Sequence, residues 1–247
     1  MFIHPSASID ENVKFGNNIN IGANVFIGKN TIIGSNVTIQ NGCEIGIYVG
    51  ENDAPLIIGN NSLIRSQSII YSGSSFGDNL ITGHRVTVRE GVKAGDNLQI
   101  GTLTDIQGNC FIGDFVRMHS NVHIGKYSTI GNFVWIFPYV VLTNDPHPPS
   151  DFYMGVSIKD FVSISTMSVV LPGIIVEKDT LIGAKSLVSR NTREGTLVAG
   201  NPAKEICLAS KIKLKDGSKK SAYPWRRHFY RGYPVDVVNN WKAEFNI

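Results

Sequence analysis

An aliphatic or aromatic residue returns at every sixth position along most of this chain. Ile3, Ile9, Phe15 and Ile21 open a first run that ends at Ile45, a second spans Ile58 to Leu142, and a third spans Ile158 to Val188, 29 hexads in all. Thr82 and Ala94 are smaller members of the second run, a Gly often comes next (Gly22, Gly101, Gly125), and a small or branched residue sits four places on. A helix with 3.6 residues per turn cannot keep one face apolar at that period, and an alternating strand cannot either. A triangular coil can. Each side is a short strand whose aliphatic residue points to the axis, and each corner is a tight turn where Gly, Asn and Asp tolerate positive φ. Three hexads close one coil, coils stack at about 4.8 Å, and each coil depends mainly on its neighbours. The pattern predicts an all-β solenoid of about ten coils over residues 1–200. Parallel crossovers are right-handed in about 98% of cases, so the period alone leaves the hand open.

Two breaks interrupt the period, and loops extruded from a rigid solenoid are where function concentrates. Residues 46–56 (GIYVGENDAPL) shift the register by one, and residues 143–157 (TNDPHPPSDFYMGVS) shift it by four. The second reads either as a solvated bulge or as a loop that reaches over a neighbouring subunit to shape an active site. Beyond Val188 the period stops. Pro202 and the stretch EICLASKIKL suit a capping helix, with residues 201–247 forming that cap and an aromatic, basic extension. The extension reads as a strap packed on the outer sheet or on a neighbouring subunit.

Composition narrows the function classes. Apolar residues make up 42%, enough for a substantial core. No run approaches the roughly 20 apolar residues of a bilayer span, and MFIHPSASID has no signal-peptide character, so a cytoplasmic protein without membrane insertion is expected. Cys43, Cys110 and Cys207 lie far apart with no paired spacing, which points to reduced thiols rather than disulfides or a zinc site. Residues 204–247 carry ten Lys or Arg against four Asp or Glu, whereas residues 1–203 carry thirteen against sixteen. A basic end of that kind attracts phosphorylated ligands; a single short aromatic patch is weak ground for nucleic-acid binding, and none is expected.

Histidine suits acid–base work near neutral pH, and His84, His119 and His123 lie between the two breaks. His119 follows the inward Met118 and His123 precedes the inward Ile124, so both should project outward on consecutive strands. His84 follows Gly83 near a corner. Arg89 and Glu90, after the inward Val88, are candidates for ligand contact, with plain surface charge as the alternative. Asn144 and Asp145 open the second break, where they either orient a ligand or start a turn.

Residues 170–206 (VLPGIIVEKDTLIGAKSLVSRNTREGTLVAGNPAKEI) resemble the C-terminal signature of the hexapeptide-repeat acyltransferases that use acetyl-CoA. The stretches RVTVREGVKAGDNLQIGTLTDIQGNCFIGDFVRMHSNVHIG and FVWIFPYVVLTNDPHPPS resemble the sugar-nucleotide N-acetyltransferases of that superfamily, above all those acting on dTDP-3-amino-3,6-dideoxyhexoses. The resemblance implies a left-handed parallel β-helix, a homotrimer with active sites between subunits, and acetyl transfer to a nucleotide-linked amino sugar for surface glycan synthesis. It implies His123, with His119 second, near the thioester; His84, Arg89, Glu90, Asn144 and Asp145 toward the acceptor; and no metal. For CoA it implies backbone pairing around Ser165 and Ala184 and phosphate contacts from Lys185, Arg190 and Lys204.

Three other readings stand beside it. An O-acetyltransferase needs the same parts and a stronger base. A non-catalytic scaffold has no use for the loop or the outward histidines. The γ-type carbonic anhydrases share the solenoid and hold zinc with three histidines, but their last two ligands resemble H-x4-H, whereas three residues separate His119 from His123.

Overall fold

The computed structural model describes residues 1–48, 50 and 54–247. Among these, short parallel strands build a three-sided prism. The first face runs from Phe2–Ile3 to Leu181–Ile182 and then Thr196–Gly200; the second runs from Ser8–Ile9 to Leu187–Val188; the third runs from Lys14–Phe15 to Ile175–Val176. Residues 18 apart stand side by side on successive turns, as Phe2 does with Asn20 and Asp105 with His123. The step lengthens to 25 between Ile32 and Ile57 and to 28 between Thr129 and Ser157, where the two breaks are extruded. Of the first break, residues 49 and 51–53 lie outside the described residues.

The hexad residues line the axis. Ile21, Ile39, Ile64, Ile106 and Ile124 are fully buried, and strand pairing sets each against its counterpart on the next turn. The hydroxyls that share this interior turn back onto corner carbonyls, as Ser128 Oγ does to Gly125 O at 2.7 Å. Such hydroxyls keep a partner away from water.

The solenoid has about eleven turns, in keeping with the ten or so expected, and one expectation needs correction. Thr196–Gly200 supplies a last rung whose pairing, Ile182 with Val198, steps 16 residues rather than 18, so a strict six-fold count stops before it. The stretch after Pro202 is no capping helix. Ala203–Leu208 is a strand that folds back antiparallel on Thr196–Gly200, which pairs backbone groups that a helix would leave bare at the sheet edge.

The helix α1, Val235–Phe245, lies farther on. It belongs to a C-terminal segment strapped along the edge between the third and first faces. The corners of that edge hold Phe115, Phe133 and Phe161 at φ near 60°, stacked at 5.0 Å from one turn to the next. Trp225, Tyr233 and Trp241 bury themselves against this ladder. Arg226, 2% exposed, pairs with both Asp179 and Glu244 and lies 4.0 Å above the Phe161 ring. Earlier corners use Asn, as at Asn12, Asn18, Asn24 and Asn30. A residue other than Gly or Asn costs about 1–2 kcal/mol in that conformation, so phenylalanine stands there because its ring has something to hold.

Candidate functional site

The turns around residue 123 carry a polar cluster on the second face. His123 and Asp105 are outward residues of adjacent rungs, and His123 Nδ1 lies 3.0 Å from Asp105 Oδ2. Gln107 Nε2 donates to the same oxygen at 2.6 Å. Desolvation works to raise the Asp105 carboxyl, but the hydrogen bonds from His123 and Gln107, with the charges of His123 and Arg89, hold it below its ordinary value. A carboxylate acceptor at Nδ1 puts the neutral ring's proton on that nitrogen and leaves the Nε2 lone pair open. The His123 side chain is 39% exposed, so that lone pair is reachable.

Arg89 and Glu90 belong to the same cluster. Arg89 lies 5.0 Å over the Tyr71 ring and its Nε donates to Glu90 Oε2 at 2.9 Å, while Lys126 Nζ stands 4.0 Å from Glu90 Oε1. Desolvation acts to raise the Glu90 carboxyl, and its own backbone N–H, Arg89 and Lys126 together bring it below the ordinary value. Asn144 starts the second extruded loop beside this cluster. A side chain at Gly125 would come within 3.0 Å of the Asn144 Cβ and 2.6 Å of Leu142 O, so the loop can leave the face here only over a glycine. Asp145 turns its carboxylate into the loop, accepting from Ser150 Oγ at 2.7 Å and from the His147 and Ser150 amides at 3.0 and 3.2 Å. Both its oxygens are thereby engaged in shaping residues 145–150.

The remaining expected residues gather mostly on one edge, the corner between the first and second faces. His119 closes the first-face strand Arg117–Met118 and stacks on Phe137 at 4.8 Å. Desolvation, and then the charge of Arg117, lower its pKa from the ordinary value. His84 occupies the same corner two turns earlier, with Nδ1 2.7 Å from Ser66 Oγ. Ser165, Ala184 and Lys185 follow along this edge. The Ser165 amide is committed to Ile182 O at 3.0 Å, whereas the Ala184 amide has no partner among the described residues. Arg190 and Lys204 line one open hollow of about 350 Å³ at the C-terminal end, together with an Arg193–Glu205 pair. Lys185 stands apart from them. His119 and His123 flank one corner but face different sides, and among the described residues no three His, Cys, Asp or Glu side chains converge as a metal site would require.

Asp105, Gln107 and Lys126 escaped sequence reasoning. The signal was available: with 18 residues per turn, the neighbour of His123 on the previous rung is residue 105. Cys110 is buried, and desolvation pushes its pKa up to about 11, so it is no ready nucleophile. No helix among the described residues is long and apolar enough to cross a membrane.

No family model matches the chain. A Schizosaccharomyces pombe (strain 972) protein with a provisional acetyltransferase name is 33% identical over an alignment of 108 residues that covers 35% of this chain and 52% of that protein. The mitochondrial gamma carbonic anhydrase 2 of Arabidopsis thaliana is 30% identical over 109 residues, 43% of this chain and 34% of that protein. The chain thus spans about half or less of these curated relatives. Among solved structures, the Arabidopsis UDP-N-acetylglucosamine acyltransferase superposes with a TM-score of 0.67 at 20% identity, over 84% of this chain and 74% of that one. At that identity the likeness carries the fold.

Proposed function

Starting from a chain that shares the left-handed β-helix of the hexapeptide-repeat acyltransferases, we propose that it transfers an acetyl group from acetyl-CoA to the amine of a nucleotide-linked amino sugar, a 3-amino-3,6-dideoxyhexose on dTDP being the preferred acceptor. The observation that carries this reading is the exposed His123 held by Asp105 on the second face. Nε2 of His123 accepts the ammonium proton, the freed nitrogen attacks the thioester carbonyl, and a backbone amide steadies the oxyanion. Collapse of that tetrahedral adduct breaks the C–S bond; the nitrogen's second proton passes to the departing thiolate, and the first leaves His123 for solvent. The transfer is direct, with no acyl-enzyme.

CoA takes the edge between the first and second faces. Ala184 lies three turns beyond His119, about 14 Å along the axis at the strand spacing, which an extended pantetheine arm covers. The free Ala184 amide pairs with that arm; Lys185, Arg190 and Lys204 serve the phosphates, where cationic donors count most. Arg89, Glu90 and Asn144 face the acceptor, with His84 at the sugar and Asp145 shaping the loop. The working unit is a homotrimer. Its support is the row of bulky residues at positive φ on the same edge, Leu103, Tyr139 and Met167, each about half exposed in a single protomer; apolar exposure of that kind marks an interface.

A thiol-release assay with acetyl-CoA against dTDP- and UDP-amino sugars tests the reading. Turnover on a 3-amino sugar is expected; turnover confined to other acceptors would overturn the assignment. O-acetyl transfer is the second reading, because a carboxylate-held imidazole equally serves a hydroxyl acceptor.

A further inference from the structure

The C-terminal strap does not lie flat on the first face. Where it passes Trp135 it leaves a hollow of about 330 Å³, walled by Phe137, Leu214, Tyr223, Trp225 and Phe229. Trp135 also closes one end of a neighbouring groove of about 390 Å³, lined by Arg65, Gln99, Thr102, Arg117, His119 and Ser120. One indole therefore separates an aromatic chamber from a basic channel.

The charge of this composite space is one-sided. Neither part contains an Asp or Glu in its walls. Among the described residues neither arginine has a carboxylate partner: Arg65 Nη1 donates to Thr82 O at 2.7 Å, and Arg117 Nη2 donates to Gly232 O at 3.0 Å. The Arg117 guanidinium also lies 4.8 Å above the Trp135 ring and 4.9 Å from that of Tyr233, which fixes its plane. Each guanidinium has five N–H donors, so most remain for a ligand. The pKa of His119 is lowered first by desolvation and second by the charge of Arg117. An acyl chain would fill the chamber and ignore the arginines. Inorganic phosphate would use the arginines and ignore the chamber.

We infer that this space is a nucleoside-diphosphate site, with the base against the aromatic rings around Trp135 and the diphosphate on Arg65 and Arg117. Stacking of a base on aromatic side chains contributes about 1–3 kcal/mol, and guanidinium forks match phosphate oxygens. His119 and Ser120 line the groove at the corner between the first and second faces, and that corner leads to His123. A sugar carried on the diphosphate is thus delivered toward the proposed base. This inference rests on the nucleotide-linked acceptor reading above and adds the residues that recognise the nucleotide.

The test is calorimetric titration of the full chain with dTDP, UDP and CoA in turn, for the wild type, Arg117→Gln and Gln99→Glu. Gln99→Glu places a carboxylate in the groove without removing any contact of the strap, so it covers the chance that Arg117→Gln loosens that segment. A nucleoside diphosphate is expected to bind the wild type and to bind both variants at least tenfold more weakly, about 1.4 kcal/mol, with CoA affinity within twofold. Unchanged nucleotide binding in Gln99→Glu would overturn the inference while leaving the amino-sugar reading intact. A loss confined to CoA would give the groove to the cosubstrate instead, and also overturns it. If thiol release proceeds on an acceptor while neither diphosphate binds, both the inference and the nucleotide-linked acceptor fail together; absence of all binding and turnover would remove the transferase itself.

Discussion

A single pairing, His123 with Asp105, sets the chemistry proposed for this chain. His123→Asn is expected to lower kcat about 10²–10⁴-fold, the usual contribution of a positioned general base, with little change in the KM for acetyl-CoA; steady-state thiol release reads both. Asp105→Asn keeps the shape but removes the carboxylate charge and can turn an N–H toward the ring, which favours the wrong tautomer, so kcat should fall while circular dichroism stays that of the wild type. His119 offers a separate signature. Its folded pKa lies below its unfolded one, so between the two values the unfolded chain binds more protons. The contribution to stability is full above the ordinary imidazole range and is lost as pH falls through it. Thermal melts from pH 7.5 to 5 should show a decline that is shallower in His119→Gln, and equal slopes would refute the assignment. The outward placement of His119 and His123 was legible from their steps beside Met118 and Ile124. The partner Asp105 was within reach only by stepping one full turn of 18 residues back from His123, because the six-residue period alone says where a side chain points and not what it meets.

Elements were legible wherever their own sequence governs them. The strands follow from the hexads, since each must put its aliphatic residue on the axis. Ala203–Leu208 was misread because Pro202 carries a helix-start signal, while the deciding influence, the open edge of Thr196–Gly200, lies in tertiary structure. The strap was foreseen as an aromatic and basic segment packed on the outer sheet or on a neighbouring subunit. Its seat was hidden in Phe115, Phe133 and Phe161, which read as ordinary corner residues until their stacking is known. Arg226 locks it there. Arg226→Ala would remove the buried cation between Asp179 and Glu244; Glu244 is 42% exposed and rehydrates, so the loss is mainly that of the charge-assisted hydrogen bonds to Asp179, about 1.5–3 kcal/mol. That exceeds what a short segment can spare, so limited proteolysis should cut within residues 209–247 while the solenoid's own melting transition persists. A strap that stays resistant would show that the aromatic ladder alone suffices.

At the scale of the whole molecule, the edge bearing Leu103, Tyr139 and Met167 matters most. Sedimentation is expected to give three protomers, and replacing Tyr139 and Met167 by Asn, which favours the same backbone conformation, should yield monomers that are no less stable as folded units but are inactive. A trimer untouched by both changes would move the interface elsewhere. The stacked construction also has a consequence for length. Because each turn touches only the one before and the one after, the N-terminal turns act as a removable plinth. Excising 18 consecutive residues between 4 and 39 should let the column close again with the catalytic end unaltered, whereas excising 17 would rotate the Ile and Phe side chains before the cut out into water. Among relatives of this protein, the column ahead of the proposed catalytic histidine is then free to change by whole storeys, with other lengths entering only through extruded loops such as residues 46–56.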